Sequence, residues 1–321
     1  MITRKLATVI ALAVVSSSPS AFAADSQPAA KFDLQAHRGG RGLWPENTLA
    51  AFEEAMKLGV TTLELDCAVT KDGVVVISHD ALLSPDITRD ATGEYITVHG
   101  PSFFSMSYAD TQRYDVGRLK AGTPYAEGQP DQKAVDGQRI PRLIDVFNLV
   151  KKSGNTEVRF NIETKVSPAK PDETLPPKEF TEAVVKVIRE AKMEKRSVVQ
   201  SFDFRTLDVV HKMAPEIETS ALTSPRPGGD KDDSEGSVLK RVKASGALTW
   251  SPNHINLTKA QVDEAHRLGL VVLPWTINEP ADLDRIIGWG VDGIITDRPD
   301  RLRDALRKAG RPLPNPTRPR T

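Results

Sequence analysis

Eight strand patterns, each followed by a helix pattern, predict that this 321-residue chain is an α/β protein of the (β/α)8 TIM barrel class. Three observations carry that expectation. From Glu157 to Ala309, short β-type runs alternate with amphipathic helical runs, which is how parallel strands joined by crossover helices read. The units number eight within about 280 residues, the usual size of such a barrel, once one hairpin arm is assigned to an insertion between the second strand and the second helix. Charged side chains also collect where the apolar strands end, which places them on one rim. A doubly wound open sheet is the alternative, but no G-x-G-x-x-G fingerprint supports it.

The elements follow in order. Arg4 and Lys5, the apolar run Leu6 to Val15 and the small-x-small site Ala21-Phe22-Ala23 predict a signal peptide over residues 1–23. The mature chain then begins at Ala24 and is periplasmic or secreted. Residues 24–31 form a polar linker. Phe32 to Ala36 is a strand, and His37-Arg38-Gly39-Gly40-Arg41-Gly42 is a turn that lacks phosphate-loop spacing. Asn47 or Thr48 caps a helix from Leu49 to Leu58 that Gly59 stops.

Thr61 to Asp66 alternates as a strand, so Glu64 and Asp66 project from one face. A turn at Lys71-Asp72-Gly73 is too short for a parallel crossover, so Val74 to Ile77 returns as a hairpin arm. His79 thereby comes back to the level of the two acids. Residues 81–139 are irregular, and so long a loop is functional or a small inserted subdomain. After a helix over Leu143 to Lys152, strands are expected at Glu157–Thr164, Ser197–Phe202, Glu218–Leu222, Ala247–Ser251, Leu270–Thr276 and Asp292–Thr296, each with its helix. The last helix closes a domain spanning 32–309, and the Pro-rich tail 310–321 reads as disordered.

Lys+Arg and Asp+Glu both number 43, so the zero net charge offers neither a nucleic-acid groove nor a polybasic membrane patch. No segment beyond the leader is apolar enough to span a bilayer, so no stable membrane insertion is expected. The single cysteine, Cys67, excludes an intramolecular disulfide and reads as a small buried apolar residue. His99, His211, His254 and His266 read as structural or solvated.

The strand ends bring together His37 and Arg38, Glu64 and Asp66, Glu163 and Lys165, Trp275, and His79 from the hairpin. Three carboxylates suit one hard divalent cation, Ca2+ or Mg2+, better than zinc, which favours His and Cys. Arg38 and Lys165 can hold anionic oxygens, and two histidines can act as general base and general acid. The combination suits chemistry at a phosphodiester.

The motifs H-R-G, P-E-N-T, E-L-D, T-K-D-G, V-I-S-H-D, I-E-T-K, S-F, W-T-I-N and D-G-I-I-T-D-R-P, in this order and spacing, resemble the glycerophosphodiester phosphodiesterase family. The resemblance runs from Phe32 to Ala309. The stretch 81–139 is similar to the insertion of the family's exported bacterial members. The resemblance implies hydrolysis of glycerophosphodiesters to sn-glycerol 3-phosphate and an alcohol. It implies His37 and His79 as the catalytic pair and Glu64, Asp66 and Glu163 as metal ligands. Arg38 and Lys165 are implied as phosphate contacts, and Trp275 packs against glycerol or the head group. Two alternatives differ in class: a phospholipase D-like hydrolase of lysophospholipids, and a non-catalytic periplasmic binding protein. The single cysteine and the long insertion speak against the first, and the intact His and acid set speaks against the second.

Overall fold

The structure, a computed structural model, describes residues 31–166, 170–224 and 235–317. The expected signal peptide and the linker up to residue 30 lie outside the described residues.

The first unit shows how local chemistry sets the elements. Strand β1 (Asp33–Ala36) leads to helix α1 (Leu49–Leu58). The Thr48 hydroxyl accepts from the Ala51 N–H at 3.2 Å and so satisfies one of the free donors at the helix start. Gly59, at φ 93°, ends the helix in the left-handed region that favours glycine. Strand β2 (Thr62–Val69) and strand β3 (Val75–Ile77) form the expected hairpin, with Cys67 opposite Ile77. Two short helices, α2 (Tyr108–Thr111) and α3 (Pro124–Glu127), lie in the insertion. Helix α4 (Leu143–Ser153) then completes the second unit.

The remaining units are β4 (Arg159–Thr164) with α5 (Pro177–Ala191), β5 (Ser197–Ser201) with α6 (Phe204–Met213), and β6 (Glu218–Thr223) with α7 (Glu235–Ala244). They are followed by β7 (Thr249–Pro252) with α8 (Lys259–Arg267), β8 (Val271–Val272) with α9 (Pro280–Gly288), and β9 (Gly293–Thr296) with α10 (Pro299–Lys308). The strand order is β8-β7-β6-β5-β4-β2-β1-β9, with β3 attached outside on β2. Every pairing along that path is parallel. The two ends of the path meet: Ile277 N–H donates to the Ile295 carbonyl at 3.1 Å, and Ile295 N–H to that of Pro274 at 3.0 Å. The fold is a (β/α)8 TIM barrel. Among the described residues no helix is long and apolar enough to cross a membrane.

The apolar core lies between strands and helices. Phe147 of α4 meets Phe160 of β4 edge to face, with ring centroids 4.8 Å apart. Each such buried side chain contributes roughly 1.5–3 kcal/mol. Cys67 is buried in this core, as a small apolar residue would be.

The structure differs from the sequence-based expectation at one strand and in the tail, and it gives the expected inserted subdomain a core of its own. The strand expected over Leu270–Thr276 pairs as a ladder only at Val271–Val272. Pro274 has no N–H to donate, and the chain runs on extended to an isolated bridge between Asn253 and Trp275. The insertion is not merely irregular: Leu83, Phe103, Met106, Val116 and Ile140 form a second apolar cluster with Ala68 and Val76 of the hairpin. The expectation of a disordered tail is corrected for residues 310–317, which run across the base of the barrel. There Thr317 N–H donates to the Met56 carbonyl at 2.8 Å, and Arg303 Nη1 to that of Pro314 at 2.9 Å. Backbone donors that find such fixed acceptors hold a segment in place despite its Pro-rich composition.

Candidate active site

The site begins where β1 ends. His37 to Gly39 form a single tight helical turn, and Arg38 within it lies at φ 52°, ψ 32°. A side chain there costs roughly 1–2 kcal/mol relative to right-handed backbone. The conformation aims the Arg38 N–H at Glu64 Oε2, 2.8 Å away, while the guanidinium is buried. Arg38 Nη1 donates to Glu46 Oε1 at 2.8 Å and to the Tyr125 hydroxyl at 3.2 Å, and Nε lies 3.4 Å from Asp66 Oδ2. These partners offset the desolvation of a buried cation.

The three expected acids converge. Glu64, Asp66 and Glu163 are buried, and one ligand atom from each lies within 4.8 Å of the others. The parallel register of β2 and β4 sets Asp66 opposite Glu163. Burial, followed by the charges of Asp66 and Glu163, pushes the Glu64 carboxyl well above the usual range. Burial and then Asp66 also push Glu163 up, against the opposing Lys165 ammonium. Burial works against ionisation of Asp66 too, but His79, Arg38 and Lys165 together hold its carboxyl far below the usual range.

A hard cation fits this set. All three ligands are oxygens. Asp66 Oδ1 is buried and, among the described residues, has no hydrogen-bond partner. An unpartnered carboxylate oxygen between two carboxyls that resist ionisation is an arrangement that a bound positive charge would relieve. Lys165 Nζ supplies part of that charge, 2.9 Å from Glu163 Oε1 and 3.9 Å from Asp66 Oδ1. Further back, Gln200 donates to Glu64 Oε1 at 2.7 Å, and Asn47 donates to Asp66 Oδ2 at 3.0 Å. Such partners fix how ligand oxygens point.

The two histidines are oriented differently. His37 Nδ1 lies 2.5 Å from Asp297 Oδ1. Burial lowers the His37 pKa to about 4, against the pull of Asp297. Burial also resists ionisation of Asp297, but His37 and Arg41 hold its carboxyl well below the usual range. A neutral His37 facing an ionised carboxylate must carry its proton on Nδ1, which leaves a lone pair on Nε2. His79 stands at the end of β3, where Ser78 N–H donates to the Asp66 carbonyl at 3.0 Å. Its Nδ1 faces Asp80 Oδ1 at 2.8 Å, and it is about one-third exposed.

A cavity of about 210 Å3 collects these groups. His37, Arg38, Glu64, His79, Glu163, Lys165 and Trp275 all line it, together with Arg41, Gln200 and Phe202. Trp275 donates its indole N–H to the Ser251 carbonyl at 2.9 Å and meets Phe202 edge to face. With that donor occupied, it offers the cavity an apolar ring. The other histidines bind elsewhere: His211 pairs with Thr219, His266 with Asp292, and His254 with the Trp275 carbonyl. His99 is exposed on the insertion.

The structure thus brings together every residue named for the site and adds Asp297, Glu46, Asn47, Arg41, Gln200 and Tyr125. Glu46, Asn47 and Asp297 stand inside motifs visible in the sequence, without a partner to reveal their task. Gln200 sits in a strand that also carries Ser197 and Ser201, so strand patterning does not single it out. Tyr125 lies 84 residues from Arg41 along the chain, and no local pattern marks it.

Comparison with known proteins identifies the family. A sequence model of the Glycerophosphoryl diester phosphodiesterase family matches residues 37–301. A glycerophosphodiester phosphodiesterase of Caldanaerobacter subterraneus subsp. tengcongensis is 32% identical over 277 residues, spanning 86% of this chain and 98% of the relative. The crystal structure of a protein from Silicibacter pomeroyi DSS-3, described as a putative glycerophosphoryl diester phosphodiesterase, superposes with a TM-score of 0.83 at 36% identity. It covers 88% of this chain and 96% of that one. A phosphodiesterase of Oleispira antarctica, solved in complex with the product sn-glycerol-3-phosphate, shares the fold at a TM-score of 0.67 and 23% identity, over 85% and 96% of the two chains. The chain therefore belongs to the glycerophosphodiester phosphodiesterase family, enzymes that hydrolyse phosphoric diesters.

Proposed function

We propose that this site hydrolyses glycerophosphodiesters to sn-glycerol 3-phosphate and an alcohol, with a divalent cation held by Glu64, Asp66 and Glu163. The supporting observation is a cluster of three converging carboxylates, two of which, Glu64 and Glu163, line one cavity with both histidines and the cations Arg38 and Lys165. Ca2+ and Mg2+ both suit an all-oxygen set. When bound, such an ion supplies charge to phosphoryl oxygens and acidifies a nearby hydroxyl.

The chain's own groups divide the remaining work. Arg38 and Lys165 place fixed positive charge where phosphoryl oxygens lie. Trp275 offers its ring to the glycerol or head group. His37 Nε2, with Nδ1–H held by Asp297, takes the proton of the glycerol 2-hydroxyl, whose oxygen attacks phosphorus. His79 gives a proton to the departing alcohol oxygen. Water then opens the resulting cyclic phosphate as the histidines exchange roles. Attack by water directly is the rival route. A substrate lacking the glycerol 2-hydroxyl decides between them: the cyclic route predicts that its turnover collapses, and a rate equal to the parent's contradicts it. The basic, apolar and small-residue pattern of residues 4–23 supports export. Sequencing of the mature N-terminus is expected to read from Ala24.

A further inference from the structure

The insertion reaches the active site from an unassigned direction. Tyr125, at the start of α3, lies at the centre of a charged network behind the catalytic turn. Its hydroxyl accepts from Arg38 Nη1 at 3.2 Å and from Arg41 Nη1 at 3.0 Å, and donates to Glu46 Oε2. Arg41 also stacks on the Tyr125 ring, 5.6 Å from its centroid. The same Arg41 donates through Nε to Asp297 Oδ1 at 2.8 Å, the oxygen that holds His37. One hydroxyl thus ties Glu46 and Arg38, beside the acids, to Arg41, Asp297 and His37.

We propose that Tyr125 is the positioning residue through which the insertion fixes Arg38 and, by way of Arg41, the Asp297–His37 pair. Three features support it. Arg38 and Arg41 are both cations, and without a shared acceptor two guanidinium groups repel. The hydroxyl accepts from both and donates its own hydrogen bond to Glu46, so one group satisfies three charged partners. Burial pushes the phenol pKa up, so the hydroxyl stays a donor to Glu46 throughout the working range of pH.

The proposal rests on the reading of His37 as base and His79 as acid, and the test separates the two claims. Tyr125→Phe keeps the ring and its stack on Arg41 and removes only the hydroxyl. Residues behind a metal or catalytic group typically cost about tenfold to a hundredfold in activity when lost. We expect kcat to fall by that factor with KM changed less, and the melting temperature and metal affinity to hold. The decisive comparison uses a glycerophosphodiester of p-nitrophenol, whose leaving phenolate needs no proton. Tyr125→Phe should lose the same factor on this substrate and on glycerophosphocholine, because it acts on the base and phosphate side. A deficit that vanishes with p-nitrophenol places Tyr125 on the leaving-group side and overturns the proposal. A kcat within about twofold of native also overturns it.

His79→Ala is the control: its first-turnover release of p-nitrophenol should be rescued, because only the later opening of the cyclic phosphate still calls on His79 as base. Without that rescue the reading of His79 fails, and the Tyr125 claim is then decided by a double-mutant cycle. Tyr125→Phe placed in an Arg41→Gln background should cost clearly less than it does in native protein, the remainder being its direct hold on Arg38, whereas a full additive loss refutes it. If Tyr125→Phe melts well below native, Arg41→Gln alone must show the equal loss on both substrates, and an unequal loss refutes the proposal.

Discussion

Asp297→Asn tests the orientation of the base. The native carboxylate is buried and accepts on both oxygens: His37 Nδ1 at 2.5 Å and Arg41 Nε at 2.8 Å on Oδ1, Asn278 Nδ2 at 2.8 Å on Oδ2. An amide has one acceptor oxygen. If that oxygen keeps His37 and Arg41, the new NH2 confronts the Asn278 donor. If it turns to Asn278, the NH2 confronts Arg41, and His37 must move its proton to Nε2 and lose its lone pair there. Each orientation loses a charge-assisted bond worth about 1.5–3 kcal/mol. At 1.4 kcal/mol per decade, kcat/KM should fall roughly tenfold to 150-fold. Asp297 draws the His37 pKa upward, so its loss moves the base further down. Raising the pH therefore cannot recover the rate, as it would if the variant had merely trapped a protonated histidine. The assay is initial rates on glycerophosphocholine across pH, beside circular dichroism melts. A kcat/KM within about threefold of native, in folded protein, refutes this role for Asp297.

Replacing residues 85–135 by a short Gly/Ser linker is expected to leave a folded barrel, because all eight βα units survive, and to keep metal binding by Glu64, Asp66 and Glu163. Turnover should drop steeply, since the linker removes Phe103, Met106 and Val116 from behind the hairpin and Tyr125 from behind Arg38; native turnover or loss of fold contradicts this. The pH profile of kcat/KM should keep its base active well below the usual histidine range. His37 is lowered to about 4, so the neutral form persists above that pH and the rate falls only as pH drops through it; an acid limb centred near 6.5 contradicts the assignment. Glu163→Gln is nearly isosteric and should weaken cation affinity about tenfold or more without lowering the melting temperature greatly, as read by metal titration and thermal melts.

The barrel was legible because each unit announces itself locally. Thr48 and Gly59 bound a helix, and β2 carries alternating acids on a buried strand. The hairpin was legible from the shortness of Lys71-Asp72-Gly73, which alone dictates that His79 returns toward Asp66. What stayed hidden depends on tertiary neighbours. Asp297 reveals its task only when β9 lies beside β1, and Tyr125 only when the insertion folds over Arg38. The core of the insertion was hidden because Phe103, Met106 and Val116 have no regular period. The tail misled because composition does not show that Thr317 finds the Met56 carbonyl.

The proposed cation on Glu64, Asp66 and Glu163 should be required for release of sn-glycerol 3-phosphate. The direct measurement is phosphorus NMR of glycerophosphocholine turnover by chelator-treated protein, verified metal-free, before and after titration with Ca2+ or Mg2+. No product in the metal-free sample, with turnover restored at one equivalent of bound ion and not restored in Glu163→Gln at the same ion concentration, is the predicted result. Full turnover by metal-free protein would contradict a role for the cation.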